Sequence, residues 1–306
     1  MNVENVARII ESWAPTWVAW ERDNVGLQVG NRNWKVSRIL VALDVTDRIV
    51  REAVSRKADL IVSHHPLFFR PPSNITASDD VGSLVLSLAQ KRIALYSAHT
   101  NLDFTKDGVS FALARKLGLS NIRFLVPLKG LLSKIVVFVP PDYTDRVAEA
   151  MSQAGAGIVG EYELCSFRSR GTGTFRGSAK SNPFLGTAGQ FETADEIRLE
   201  MIAPRAQVNS VVEAMRAVHP YDEVAYDMYP VDNPSANFGS GAIGELPRAQ
   251  TLGTFLKSAK KALRAESFRV SGEPGLQVQN VAVCGGSGSD LLPAALRAKA
   301  DVFLTA

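Results

Sequence analysis

The chain has 306 residues, with 34 Lys and Arg against 31 Asp and Glu for a net charge of +3, which allows one or two domains with sizeable cores. So small a charge, with no dense Lys/Arg block, makes no case for nucleic acid or an anionic membrane surface. No uninterrupted apolar stretch reaches the roughly 18 residues needed to span a bilayer, and Met1-Asn2-Val3-Glu4-Asn5 lacks the basic region and apolar core of a secretory leader. Cys165 and Cys284 lie far apart without metal-type spacing, so free thiols in a reducing cytoplasm are expected.

Val3, Val6, Ala7, Ile10 and Trp13 recur at helical spacing, which predicts an opening helix ending before Pro15. Asp23-Asn24-Val25-Gly26-Leu27-Gln28-Val29-Gly30 reads as a glycine-bearing turn. Ile39 to Leu43 reads as a buried strand, Thr46 as the cap of a helix running to about Arg56, and Asp59 to Ser63 as the next strand. A Pro-rich loop follows, then a helix over Val81 to Lys91, a strand over Ile93 to Ser97 and a helix over Gly108 to Leu117. This alternation predicts an α/β domain with a largely parallel sheet covered by helices.

Two of the chain's four histidines, His64 and His65, stop the apolar run Leu60-Ile61-Val62-Ser63, and Pro66 rules out continuing a regular ladder. Locally they are either satisfied structural residues or a site whose adjacent imidazoles serve two metals. Ligands in open α/β sheets collect outside the carboxyl ends of the strands. His64, His65, His99 and Asp103 all fall at such ends, and three imidazoles with a carboxylate on one rim suit zinc or other divalent first-row metals.

After Lys129-Gly130 the rhythm changes. Strands over Lys134 to Val139, Glu161 to Arg168, Glu196 to Ala203 and Val224 to Tyr229, with helices over Thr144 to Ala154 and Val208 to Val218, give a ferredoxin-like βαββαβ order. The expected organisation is therefore residues 1–130, an inserted domain over 131–232, and a return to the first domain over 233–306. Gly171-Thr172-Gly173-Thr174-Phe175 and Gly186-Thr187-Ala188-Gly189 read as hairpin turns before ligand loops. His219, with no second imidazole in that domain, reads as structural.

In the last segment Leu252 to Ala265 and Asp290 to Lys299 read as helices, Val278 to Cys284 and Val302 to Leu304 as strands. The loop Gly285-Gly286-Ser287-Gly288 lacks the lysine of a phosphate-binding loop. Lys299-Ala300-Asp301 before Val302 repeats Lys57-Ala58-Asp59 before Leu60, and the preceding strand and helix face align without a gap. The echo implies a pseudo-duplicated fold of two βαβ units. In that alignment His64 falls on Ala306, where the second half would begin to supply ligands.

The segments Asp23 to Gly30, Ala58 to Leu67, Ser97 to Asp103 and Gly285 to Gly288 resemble the NIF3-like family, also called GTP cyclohydrolase 1 type 2 homologues. The inserted domain resembles the family's PII/CutA-like insert through Tyr162, Cys165-Ser166-Phe167, Gly171 to Phe175 and His219 to Tyr226. The resemblance implies two divalent ions, of zinc, iron or manganese, inside a homohexameric ring. His64 and His65 would each bind one ion, Asp103 would bridge them, and His99 would be a nearby acid/base group. The family's further His and Glu ligands belong to a segment after the final strand, so a shortened chain with weaker affinity is expected.

The family name implies a metal-dependent hydrolase that opens the purine ring of a nucleotide and releases formate. The alternative is a non-enzymatic metal-binding scaffold or regulatory ring. A ring threading nucleic acid would require a basic lining that the sequence does not display as a cluster.

Overall fold

A computed structural model describes residues 1–70 and 72–306; Pro71, in the expected Pro-rich loop, lies outside the described residues. The chain divides into two compact units, one of Met1–Pro127 with Asn237–Ala306, the other of Leu128–Ala236.

In the first unit, α1 (Val3–Trp13) starts in a capping box: Asn2 and Asn5 each accept the other's backbone N–H at 2.9 Å. Then come β1 (Gly26–Val29), β2 (Ile39–Ala42), α2 (Asp47–Ser55), β3 (Leu60–Ser63), α3 (Asp80–Gln90) and β4 (Ala94–Ser97). The sheet order is β1-β4-β3-β2, with β2, β3 and β4 parallel and β1 antiparallel to β4. Strand alternation divides the core. Leu60 packs with Val3 and Val6 of α1, while Ile61 packs with Val50 of α2 and Leu88 of α3. The central strands are thus covered on both faces, as parallel sheets require.

Helices α4 (Thr100–Asp103) and α5 (Val109–Lys116) lead to β5 (Ser120–Pro127). The chain returns with β10 (Gly239–Thr251), α8 (Leu252–Leu263), β11 (Gln277–Val283), α9 (Leu292–Arg297) and β12 (Val302–Leu304). These strands form a second sheet, β12-β11-β10-β5, in which only β11 and β12 are parallel.

The duplication reaches individual hydrogen bonds. Ile39 pairs with Leu60 in one half and Val281 with Val302 in the other. Asp59 Oδ2 accepts the amides of Ser37 and Arg38 at 2.8 and 3.0 Å, and Asp301 Oδ2 those of Gln279 and Asn280 at 2.9 and 2.8 Å. Lys57 and Lys299 both take positive φ, 54° and 55°, in the turn from helix to strand.

In the second unit β6 (Leu132–Val139), α6 (Thr144–Gln153), β7 (Phe167–Arg176), β8 (Phe191–Pro204), α7 (Val208–Val218) and β9 (Tyr226–Val231) follow the βαββαβ order. The antiparallel sheet runs β7-β8-β6-β9, and both helices pack on one face against Ile135, Val137, Leu199 and Met201. Among the described residues no helix is long and apolar enough to cross a membrane.

Several local expectations are corrected. Gly26–Val29 is a strand rather than a turn, bounded by Gly26 and Gly30 at φ 99° and 109° and held by pairing with β4. Ile39 to Leu43 is not buried. β2 is an edge strand, and Val41 is 77% exposed on its outer face. The strand expected over Glu161 to Arg168 begins only at Phe167, because Val159 and Tyr162 close a tight turn before it. Gly171 to Phe175 lies inside β7 and is no hairpin turn. Strands β5 and β10 were not expected, since the glycines and Pro247 of β10 imitate turn chemistry.

The Asp59 clamp predicts that Asp59→Ala, which gives both amides over to water, lowers unfolding stability by about 0.5–1.5 kcal/mol. Asp59→Asn keeps an acceptor oxygen and should cost less, as read from urea midpoints.

Candidate metal centre

Three imidazoles arrive on two adjacent strand ends. Beyond β3 the backbone stays tied to the β2 side, His64 N–H donating to Ala42 O at 3.1 Å and His65 N–H to Leu43 O at 2.9 Å. Beyond β4, Ala98 N–H donates to Ser63 O at 2.9 Å and His99 opens α4, whose last residue is Asp103. The ligand atoms that His64, His65 and His99 can offer lie within 4.8 Å of one another. Their ring centroids are 5.0 to 5.5 Å apart.

Each ring is held by its Nδ1 on an oxygen: His64 on Ala98 O at 2.9 Å, His65 on Asp44 Oδ1 at 2.7 Å, His99 on Asp23 Oδ1 at 2.9 Å. A carbonyl or carboxylate oxygen only accepts, so Nδ1 carries a proton in each ring and Nε2 is the atom left to face the cluster. Burial lowers the His64 pKa, more than the Ala98 carbonyl restores, which favours the neutral ring.

The two buried carboxyls differ. Burial pushes the Asp23 carboxyl upward, but hydrogen bonds from His99 and from the Thr100 hydroxyl and amide outweigh it and hold the group below its ordinary value. Among the described residues Asp103 has no such donors. Burial pushes its pKa up to about 6, against the pull of His99. Its Oδ1 is buried without a hydrogen-bond partner, 3.7 Å from His64 Nε2.

This donor set fits a divalent cation. Imidazoles anchored through Nδ1 that present Nε2, and an unpartnered buried carboxylate oxygen, are the ligands such ions take, and Nδ1 contacts of this kind orient ligating histidines. Without a cation, the orphaned oxygen is a net cost to the fold.

His64, His65, His99 and Asp103 are thus brought together. Sequence reasoning did not single out Asp23 or Asp44, which hold His99 and His65 across 76 and 21 residues of chain. The second half also reaches this region: the Cys284 thiol is pushed up to about 11 by burial, with Asp103 and Asp290 adding to it. In the Gly285 to Gly288 loop, the Gly285 amide is spent on Ser110 Oγ at 3.2 Å. His219 stands apart as a structural residue, Nε2 on Phe138 O at 3.1 Å and Nδ1 accepting the Tyr221 amide at 3.1 Å.

The family profile described as Duf34/NIF3 (NGG1p interacting factor 3) matches residues 1–306. The GTP cyclohydrolase 1 type 2 homolog of Halalkalibacterium halodurans is 43% identical over 305 residues, spanning 99% of this chain and 82% of that protein. The protein of the same description from Bacillus subtilis is 38% identical over 306 residues, spanning 100% and 82%. Among solved structures, a Bacillus cereus protein related to NIF3 is similar with a TM-score of 0.84 at 40% identity, covering 100% of this chain and 82% of that one.

In metal-free protein the Asp103 carboxyl should leave a pH signature. Below about pH 4 it is protonated in both folded and unfolded chains. As pH rises through about 6, the unfolded carboxyl ionises first and stability falls, by roughly 3 kcal/mol at most. Asp103→Asn should remove that slope from unfolding curves recorded in chelator. Asp44→Ala frees the His65 ring and should weaken cation affinity about tenfold or more by calorimetry.

Proposed function

The chain belongs to the Duf34/NIF3 family, and from that premise we propose that it is a divalent-metal protein acting as a metal-dependent hydrolase of the GTP cyclohydrolase 1 type 2 homologue class. The observation that carries this reading is the cluster of three Nδ1-anchored imidazoles, with the orphaned Asp103 oxygen 3.7 Å from His64 Nε2. In this reading His64 and His65 would each hold one of two divalent ions, of zinc, iron or manganese, and Asp103 would supply the carboxylate shared between them. Such a pair, when bound, would supply an acidified water and charge stabilisation for a displacement.

The chain's own contribution lies in positioning and proton transfer. His99 presents Nε2 as the proton acceptor, and Asp23, ionised and 2% exposed, stabilises the imidazolium that forms. His64 and His65 fix the geometry through Ala98 and Asp44. The names of the relatives suggest a nucleotide substrate whose purine ring is opened with loss of formate. We further propose a homohexamer in the cytoplasm, a setting in keeping with the free thiols Cys165 and Cys284.

Metal per chain, measured on protein purified without chelator, should fall by about two ions in the His64→Ala/His65→Ala double variant. Formate release from GTP should require the ion and drop about 10²- to 10⁴-fold in His99→Gln with the metal retained. Loss of metal in His99→Gln would instead make His99 a ligand. Bound metal without turnover of any nucleotide would sink the hydrolase and leave a scaffold. Light scattering checks the hexamer.

A further inference from the structure

A cavity of about 600 Å³ lies wholly within the second unit, within the size range of small-molecule sites. Leu199 and Met201 of β8 face the helices, so Glu196, Arg198 and Glu200 alternate onto the opposite face of the sheet. There Gly171 pairs with Glu196 and Gly173 with Ala194. The two glycines floor the cavity with bare backbone. Glycine inside a strand weakens it and marks a place where another group approaches closely. A Cβ at Gly173 would come within about 2.1 Å of Glu196 Oε2, so this position must stay empty for the carboxylate to lie where it does.

Glu196 is buried, 9% exposed, and lines the cavity without a Lys or Arg partner among the described residues. The Tyr221 hydroxyl, also buried, adjoins it, although no hydrogen bond of regular geometry closes between them. Of the two arginines at the lining, Arg198 pairs with Glu200 at 2.9 Å, and Arg176 forms no ion pair with Glu196 among the described residues. Asp222 and Glu223 add negative charge at the lining, against Arg176. The walls are aromatic. Phe184 lies tilted at 6.1 Å from Tyr221 and edge-on at 5.7 Å from Tyr143, and Phe138 and Phe175 also line the cavity.

From this arrangement we infer that the second unit carries a site for a small organic cation, an amine or amidine on an apolar or aromatic body. The charged head pairs with Glu196 and accepts help from the Tyr221 oxygen. The body lies on the glycine floor between aromatic faces, which attract cations through their quadrupoles. A metal ion is the wrong occupant, because one buried carboxylate among aromatic rings lacks the oxygen ligands a hard cation needs.

Benzamidine is the probe, with benzoate as the anionic counterpart of the same shape, each titrated by calorimetry and ligand-observed NMR into the full chain in chelator. Benzamidine should bind one per chain at millimolar affinity or tighter, and benzoate should not. Glu196→Gln should weaken benzamidine about tenfold or more. Gly173→Ala, whose Cβ displaces the carboxylate, should do the same and serves if the first variant does not fold by circular dichroism. No benzamidine binding, equal binding of benzoate, or affinity unchanged in both folded variants would overturn the inference.

Discussion

The candidate centre depends on the parallel register of β3 and β4. Ser63 pairs with Ser97, their buried hydroxyls meet at 2.7 Å, and the Ser63 hydroxyl turns back to the His65 carbonyl at 2.9 Å. One step further along both strands, the His64 ring finds the Ala98 carbonyl. A slip of one residue would send each side chain to the opposite face of the sheet and remove that anchor. The apolar packing of Leu60 and Ile61 on opposite faces forbids the slip, so the hydrophobic cores around α1 and around α2 and α3 fix the geometry of a polar site.

The same few ångströms hold two carboxyls driven in opposite directions. Asp23 is surrounded by donors and stays ionised. Asp103, its side chain 22% exposed, has none among the described residues, and its preference for the proton extends to about pH 6. Groups whose environments push their affinities apart are a usual mark of acid/base division of labour. Here the division separates a carboxylate that serves an imidazole from one that awaits a partner. Cys284, delivered by the second βαβ unit, feels the charge of Asp103, so both halves of the duplication contribute to this environment.

Much of this was legible in the sequence, and the reason is physical. Buried parallel strands read as continuous apolar runs, and their carboxyl ends locate the rim, so His64, His65, His99 and Asp103 could be placed together before any coordinates. The repeated Lys-Ala-Asp was legible because the same turn and the same carboxylate clamp recur at Asp59 and Asp301. What stayed hidden depends on pairing across long sequence distance. β1 exists because β4 offers it an edge, and β10 carries glycines at close approaches, Gly239 lying where a Cβ would meet Phe124. Asp23 and Asp44 act through space. Asp44, two residues past the end of β2, was within reach of the same strand-end rule that found the histidines.

The three anchors of the imidazole cluster are unequal in stiffness. His99 and its partner Asp23 are 18% and 2% exposed, whereas His65 and Asp44 are 47% and 57% exposed. Water competes for the Asp44 carboxylate, so the His65 anchor is the weakest of the three. The cluster therefore has two sheltered walls and one open to solvent. Any cation taken up here would meet the His65 side first, with the His64 and His99 rings behind it.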